Sequence, residues 1–427
     1  MLGPKTMYFG CFAVIVAMLG ITLVFPPPVL FQMCIYSTCA IYVGCHLSLG
    51  LLSSTGKDGE EKEVETVSQT DAMMFPVFGS CALFSLYVAF KWFGPYYVNL
   101  LLTTYLSIAG VAALGETLMP LLTPCFAQKI QDKKFDINID IPSKPWPISR
   151  THLLISHHPF PRFGTFFKYK LSRNHFRSIR NFLFDCNYKI ELSDEPLEVK
   201  FTMIHVVAYC ISATFAAVFW ITKNWMLHNV FGVSFCVQAI SLVHIPTFKI
   251  AFILLAGLFI YDIFWVFGSD VMVTVAKSFD APAKLIFPIS LNPWKQSILG
   301  LGDIVVPGIV MSMCLRYDAT KAFKEADYQS TDIFKSFPKT YFYSVLVWYN
   351  AGLLTTGLVM FYFNHAQPAL LYLCPAVSLS IITTAFFKGE FSKVMSYDES
   401  ELLEKNKKVD GGDSGSGPKA AEVKKDK

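Results

Sequence analysis

The chain has 427 residues, of which 53% are hydrophobic and only 16% charged, against about 25% charged in a soluble domain. With a mean hydropathy of +0.44, that composition points to lipid, and a dispersed net charge of +4 gives no basis for nucleic acid as a partner. The eleven cysteines form no C-x-x-C pair, and several, such as Cys81, Cys210, Cys236 and Cys374, fall inside apolar stretches; they read as buried free thiols, not a disulfide frame or metal site.

The apolar residues are bunched into stretches of roughly 18 to 25, the length a helix needs to cross a hydrocarbon core about 30 Å thick. In lipid each backbone N–H and C=O must be satisfied within its own segment, so every span is expected to be helical. An apolar stretch over 7–24 follows Lys5 and ends at Pro26-Pro27-Pro28. It is compatible with a cleaved signal peptide, an extra span, or one arm of a helical hairpin. The following spans are expected over 29–52, 73–93, 96–120, 200–221, 226–244, 248–268, 298–315, 340–362 and 367–387. The fold class is therefore an all-α polytopic membrane protein with about nine transmembrane helices. Its expected divisions are an N-terminal region with an acidic loop (1–72), two spans (73–120), a basic loop (121–199), a membrane core (200–395) and a disordered tail (396–427).

The stretch 121–200 carries thirteen Lys/Arg against eight Asp/Glu, and the 316–339 connection holds Arg316, Lys321, Lys324, Lys335 and Lys339. If nine spans are counted, both lie on one face with the C-terminus, and the positive-inside rule makes that face the cytosol. The acidic connection 53–71 should lie there too, and acids contribute little to the rule.

Two carboxylates stand where charge is costly. Asp262 lies in the aromatic run Gly257–Phe267, and Asp303 in Gly300-Leu301-Gly302-Asp303 at the start of the next span. Even the lower scale puts a central aspartate at about 2.5–3.5 kcal/mol, and intramembrane acids usually mark a pathway or a reactive site. The two spans run antiparallel, with each aspartate about 9 Å from the same end at 1.5 Å per residue. Helices packed about 8–10 Å apart let such side chains meet. Two carboxylates in contact share a proton, one serving as general base on a water and the other as general acid. Gly300 and Gly302 leave room beside Asp303 for a substrate backbone. Gln367-Pro368-Ala369-Leu370 lies level with both acids; its proline is either ordinary first-turn capping or the source of a short non-helical edge for an extended substrate.

Tyr261-Asp262, Gly300-Leu301-Gly302-Asp303 and Pro368-Ala369-Leu370 resemble, in order and placement, the YD, GxGD and PAL motifs of the signal peptide peptidase family and its presenilin relatives. The resemblance is tight over 259–282, 299–308 and 365–373, and looser over about 73–396. It implies a nine-span fold, catalysis by Asp262 and Asp303 without a cofactor, and cleavage of membrane-helix peptides such as remnant signal peptides and type II segments. By the motif match, Tyr261, Gly300, Leu301, Gly302, Gln367, Pro368, Ala369 and Leu370 would contact substrate. Only about 30 residues separate the catalytic helices, unlike presenilins, which favours a protease that works without partner subunits; a homo-oligomer is compatible with the sequence. Lys424 and Lys425 match a dilysine signal for retention in the endoplasmic reticulum.

A proton- or ion-coupled transporter would also use membrane acids and broken helices, and internal inverted repeats would distinguish it. Glu116 reads as interfacial, and His46, His205, His228 and His244 as structural, with no shared metal-ligand spacing. Tyr261 either hydrogen-bonds the neighbouring carboxylate or fills space. Neither H-E-x-x-H nor G-x-S-x-G occurs, which counts against a metal or serine protease.

Overall fold

The computed structural model describes residues 4–52, 67–126, 134–139, 197–269, 271–323, 336–363 and 367–399. Lys424, Lys425, most of the acidic connection and most of the basic loop lie outside them. The chain forms two compact units, Ala127–Met203 and the remainder. In the former, β1 (Lys134–Ile139) pairs antiparallel with β2 (Leu197–Thr202), with Lys134 opposite Thr202.

The larger unit is a helical bundle: α1 (Pro4–Val24), α2 (Val29–Leu52), α3 (Gln69–Phe93), α4 (Pro95–Leu122), α5 (Met203–Thr222), α6 (Trp225–Leu242) and α7 (Phe248–Phe267) come first. Then come a short α8 (Val271–Ser278), a hairpin of β3 (Lys284–Leu291) and β4 (Trp294–Gly300), α9 (Gly302–Ala322), α10 (Thr340–Phe363), α11 (Leu370–Phe387) and a short α12 (Phe391–Met395). Helical architecture is as expected, with two small sheets added. The 7–24 stretch is α1, packed along α2 with Tyr8 buried.

Among the described residues nine helices are long and apolar enough to cross a membrane, α1 to α7, α10 and α11. Their outward faces carry exposed large hydrophobics such as Trp92, Phe361 and Phe387, the pattern of surface that meets lipid instead of water. Cys81 and Cys210 are exposed on such faces, contrary to the expectation that they are buried, whereas Cys236 and Cys374 are buried.

The membership of the nine differs from that expected, because α9 falls outside it. With Asp303, Arg316, Asp318 and Lys321 it is too polar, and the physical reason is its position. It packs against α2, α6, α7, α10 and α11, and every residue from Val306 to Ala319 is buried. A helix walled in by protein need not have a lipid-compatible composition. Contact with α6 is close, since a Cβ on Gly308 would run into the side chain of Ile240 and force it to move. Its start is also later than the expected 298, since residues 294–300 are strand.

Buried polar contacts tie the far end of α9. Arg316, 0% exposed, donates to Glu399 Oε1 at 2.7 Å, to Ser312 Oγ at 3.0 Å and to Ser48 Oγ at 3.4 Å. Asp318 Oδ2 accepts the Phe342 N–H at 3.0 Å, capping α10, and Lys339 Nζ meets His46 Nε2 at 2.7 Å. Arg316 and Lys339, counted above as loop charges, are thus interior groups. Tyr397 packs on Phe248 and Tyr317, and Glu399 N–H donates to Pro246 O at 2.9 Å. Ser396–Glu399, expected to begin a disordered tail, are instead bound to the core through these contacts.

Candidate active site

Asp262 sits five residues from the end of α7 and is 4% exposed. A helix start leaves its first N–H groups without intrahelical partners, and α11 begins at Leu370 with Ala369 as an N-cap that offers no side-chain acceptor. Asp262 supplies the acceptor from another helix: the Leu370 N–H donates to its Oδ2 at 2.9 Å. A hydrogen bond to a charged acceptor is worth about 1.5–3 kcal/mol, so the contact holds both the carboxylate and the Pro368-Ala369-Leu370 segment in place. Pro368 is buried and stands before the N-cap, outside the helix. It is therefore not the first-turn proline of ordinary capping. Gln367 is half-buried beside it.

Asp303 is the second residue of α9, whose N-cap Leu301 accepts the N–H groups of Ile304 and Val305 at 3.1 and 2.8 Å. The residue is half-buried as a whole, and its carboxyl is within electrostatic reach of Asp262. Cys374, one turn into α11, is within reach of both. A Cβ on Gly300 would press on Asp303 Oδ2 at 3.3 Å, whereas one on Gly302 would meet nothing within 4 Å. The first glycine fits the carboxylate, and the second borders open space on the exposed side. The fully buried Tyr349 donates from its hydroxyl to the Asp303 carbonyl at 3.3 Å.

The hairpin delivers the chain to Asp303, pairing Lys284 with Gly300 and Leu285 with Leu299. Leu285, Phe287 and Leu299 are buried on the bundle. The outer edge of β3 is taken up by side chains that behave as a neighbouring strand would. The Asn229 amide donates to Ile286 O at 2.7 Å and accepts the Ile286 N–H at 2.8 Å, His228 Nε2 meets Lys284 O at 2.9 Å, and Gln32 donates to Pro288 O at 3.1 Å. β4 has no such partners on its outer edge among the described residues, and its side chains from Trp294 to Gln296 are exposed.

Tyr261 fills space. Its ring packs over Gly79 of α3 without a hydrogen bond to Asp262, and Trp265, one turn on, donates to Ser80 Oγ at 2.9 Å. The sequence therefore brings Tyr261, Asp262, Gly300, Leu301, Gly302, Asp303, Pro368, Ala369 and Leu370 into one region. Asn229, Gln32 and Tyr349 were not singled out from sequence, because isolated amides and phenols in apolar spans carry no spacing signal, and Cys374 was read only as a buried thiol.

The family profile described as signal peptide peptidase matches residues 59–401. The chain belongs to this family. It is 33% identical over 341 residues to the mouse and human proteins named signal peptide peptidase, covering 79% of this chain and 75% of each relative. It is 39% identical over 228 residues to the Caenorhabditis elegans protein named intramembrane protease 2, over 50% of this chain and 48% of that one. Family membership makes the chain a multi-pass membrane protein and an intramembrane aspartic protease, and nothing in these likenesses favours a transporter.

Other polar residues in the family fold find structural partners. His46 Nδ1 meets Tyr42 O at 2.8 Å, His244 Nδ1 meets Leu242 O at 3.2 Å, and Glu116 Oε1 accepts the Tyr209 hydroxyl at 2.8 Å.

Proposed function

We propose that Asp262 and Asp303 are the catalytic pair and that the substrate is a membrane-spanning helix cut after local unwinding. The observation that carries this reading is the Leu370 N–H bond to Asp262 Oδ2, which aims one acid from α7 at the Pro368-Ala369-Leu370 segment, with Asp303, at the start of α9, within electrostatic reach of Asp262. The ionised acid takes a proton from water, whose oxygen attacks the scissile carbonyl carbon. The protonated acid hydrogen-bonds the carbonyl oxygen as charge develops there. Collapse breaks the C–N bond as the amide nitrogen receives a proton, leaving one new carboxyl and one new amine.

A peptide bond in a regular helix has its carbonyl engaged by the i+4 amide, so it must become extended to reach the acids. With the outer edge of β3 occupied, the exposed edge of β4 is where an extended segment gains backbone partners. Gly302 leaves that approach open. The names of the mouse and human relatives support signal peptides as substrates.

We further place the chain in the endoplasmic reticulum membrane, with the end of the bundle that holds Arg316 and Glu399 toward the cytosol. The basic 121–199 loop and the terminal Lys424 and Lys425 support that placement. Incubating the purified protein in detergent with a synthetic membrane-helix peptide, followed by mass spectrometry, tests the activity. The expected product is a cut inside the apolar stretch, absent from Asp262→Asn, Asp303→Asn and the double variant alike. Well-folded single variants that cut at near wild-type rate would refute the catalytic pair.

A further inference from the structure

The two faces of the β3–β4 hairpin have different surroundings. Leu285, Phe287 and Leu299 sit on the bundle, while Lys284, Ile286, Trp294 and Gln296 line a cavity of about 960 Å³ bounded by the start of α4 and the α5–α6 turn. This space is separate from the aspartates, none of whose neighbours described above, Leu370, Gly300 or Tyr349, contributes to it.

Its chemistry is that of a membrane boundary. Trp220, Trp225, Trp294 and Tyr96 form the aromatic part of the wall, the side chains enriched where hydrocarbon gives way to water. The neighbouring faces of α4 and α5 expose Tyr97, Leu101 and Ile221, so the cavity adjoins surface that meets acyl chains.

Two lysines and one aspartate line the cavity, Lys223 and Asp280 at its exposed rim and Lys284 buried. Lys223 Nζ lies 4.7 Å from the Trp220 ring centroid. Lys284 is buried, donates to Phe279 O, and is within electrostatic reach of Asp280. Asp280 is fixed by its N–H bond to Asn99 Oδ1 at 3.1 Å. Among the described lining residues the lysine and carboxylate charges are two positive and one negative, which a singly charged anion would balance.

We propose that the cavity binds the phosphate group of an anionic phospholipid, with the acyl chains running along α4 and α5. The lipid would then rest on the outer face of the hairpin whose far end carries Gly300 and leads to Asp303.

Native mass spectrometry of the full chain released from nanodiscs of phosphatidylcholine with a minor share of phosphatidylglycerol reads the binding directly. The wild type should retain phosphatidylglycerol selectively. Lys223 has a φ of 50°, a conformation asparagine tolerates, so Lys223→Asn removes the charge without straining the turn. It should lower retention about fivefold, the equivalent of ~1 kcal/mol per lysine at a membrane surface. Asp280→Asn should raise retention, an effect of opposite sign that misfolding would not produce. Equal retention of the two lipids, or unchanged retention in Lys223→Asn, would overturn the proposal. So would displacement of the lipid by millimolar inorganic phosphate, which would mark a free-anion site. Altered peptide cleavage by Lys223→Asn in pure phosphatidylcholine, with lipid retention unchanged, would assign the cavity to the flank of the substrate instead.

Discussion

At the scale of single residues, Asp262 combines two roles that substitution can separate. As a carboxylate it is the proposed acid–base group, and as an oxygen acceptor it caps α11 through the Leu370 N–H. Asparagine keeps an acceptor oxygen there and alanine does not. Both Asp262→Asn and Asp262→Ala should be inactive, but only the alanine variant should lose stability. Leaving a buried N–H unpaired costs about 1–3 kcal/mol, readable as a lowered thermal midpoint in detergent. Gly300 offers a second separation. A methyl group there meets Asp303 Oδ2 at 3.3 Å and must displace the carboxylate by a few tenths of an ångström. Misplacement of about 1 Å can cost about a hundredfold, so Gly300→Ala should lower kcat by ~tenfold with an unchanged melting profile. Gly302→Ala meets nothing within 4 Å, and its effect should fall on KM for the peptide.

At the scale of elements, the bundle positions its catalytic region by holding short pieces between helices. β3 is an example, since one asparagine on α6 satisfies both the N–H and the C=O of Ile286. Asn229→Leu should loosen the hairpin, lowering both the thermal midpoint and the rate of peptide cleavage; full activity in that variant would show that the hairpin needs no such support. The opposite end depends on Arg316 and Glu399, which join α9 to the segment after α12. Breaking a buried ion pair by removing one partner costs about 3–5 kcal/mol, whereas replacing both by apolar groups is often neutral. Glu399→Gln should therefore destabilise strongly, and the pair Arg316→Met with Glu399→Leu should recover most of the loss in thermal unfolding. The exposed Lys321–Glu390 bridge at 2.5 Å is of another kind, and Lys321→Ala should cost under about 1 kcal/mol.

At the scale of the whole molecule, the proposed catalytic groups sit among helices that present apolar faces outward, and on that reading the substrate arrives through lipid and its helix opens before either acid acts. Replacing Gly, Ser or Pro in the membrane segment of a substrate by Leu should slow cleavage in proportion to the helix it stabilises. Equal rates across several such pairs would rule out an unwinding step. The proposed placement in the endoplasmic reticulum can be tested at Lys424 and Lys425. Changing both to Ser should let part of the protein pass to later compartments, scored by immunofluorescence. A C-terminal epitope accessible only from the lumen would contradict both the orientation and the signal.

Asp262 and Asp303 were legible from sequence because a carboxylate in an apolar run is too costly to be incidental, and the helices were legible because lipid leaves the backbone no other way to satisfy itself. Tertiary structure decided what depends on neighbours distant in the chain. Whether α9 faces lipid or protein is a matter of what surrounds it, so its polar composition has no fixed meaning until α2, α6 and α10 are placed around it. Whether Pro368 caps a helix or precedes one depends on where Leu370 finds its acceptor, and that acceptor lies on α7, 108 residues away. The hairpin before Asp303 lies, apart from residues 298–300, between the expected spans, and its strand pairing is completed by Asn229, His228 and Gln32, which supply backbone partners along the outer edge of β3.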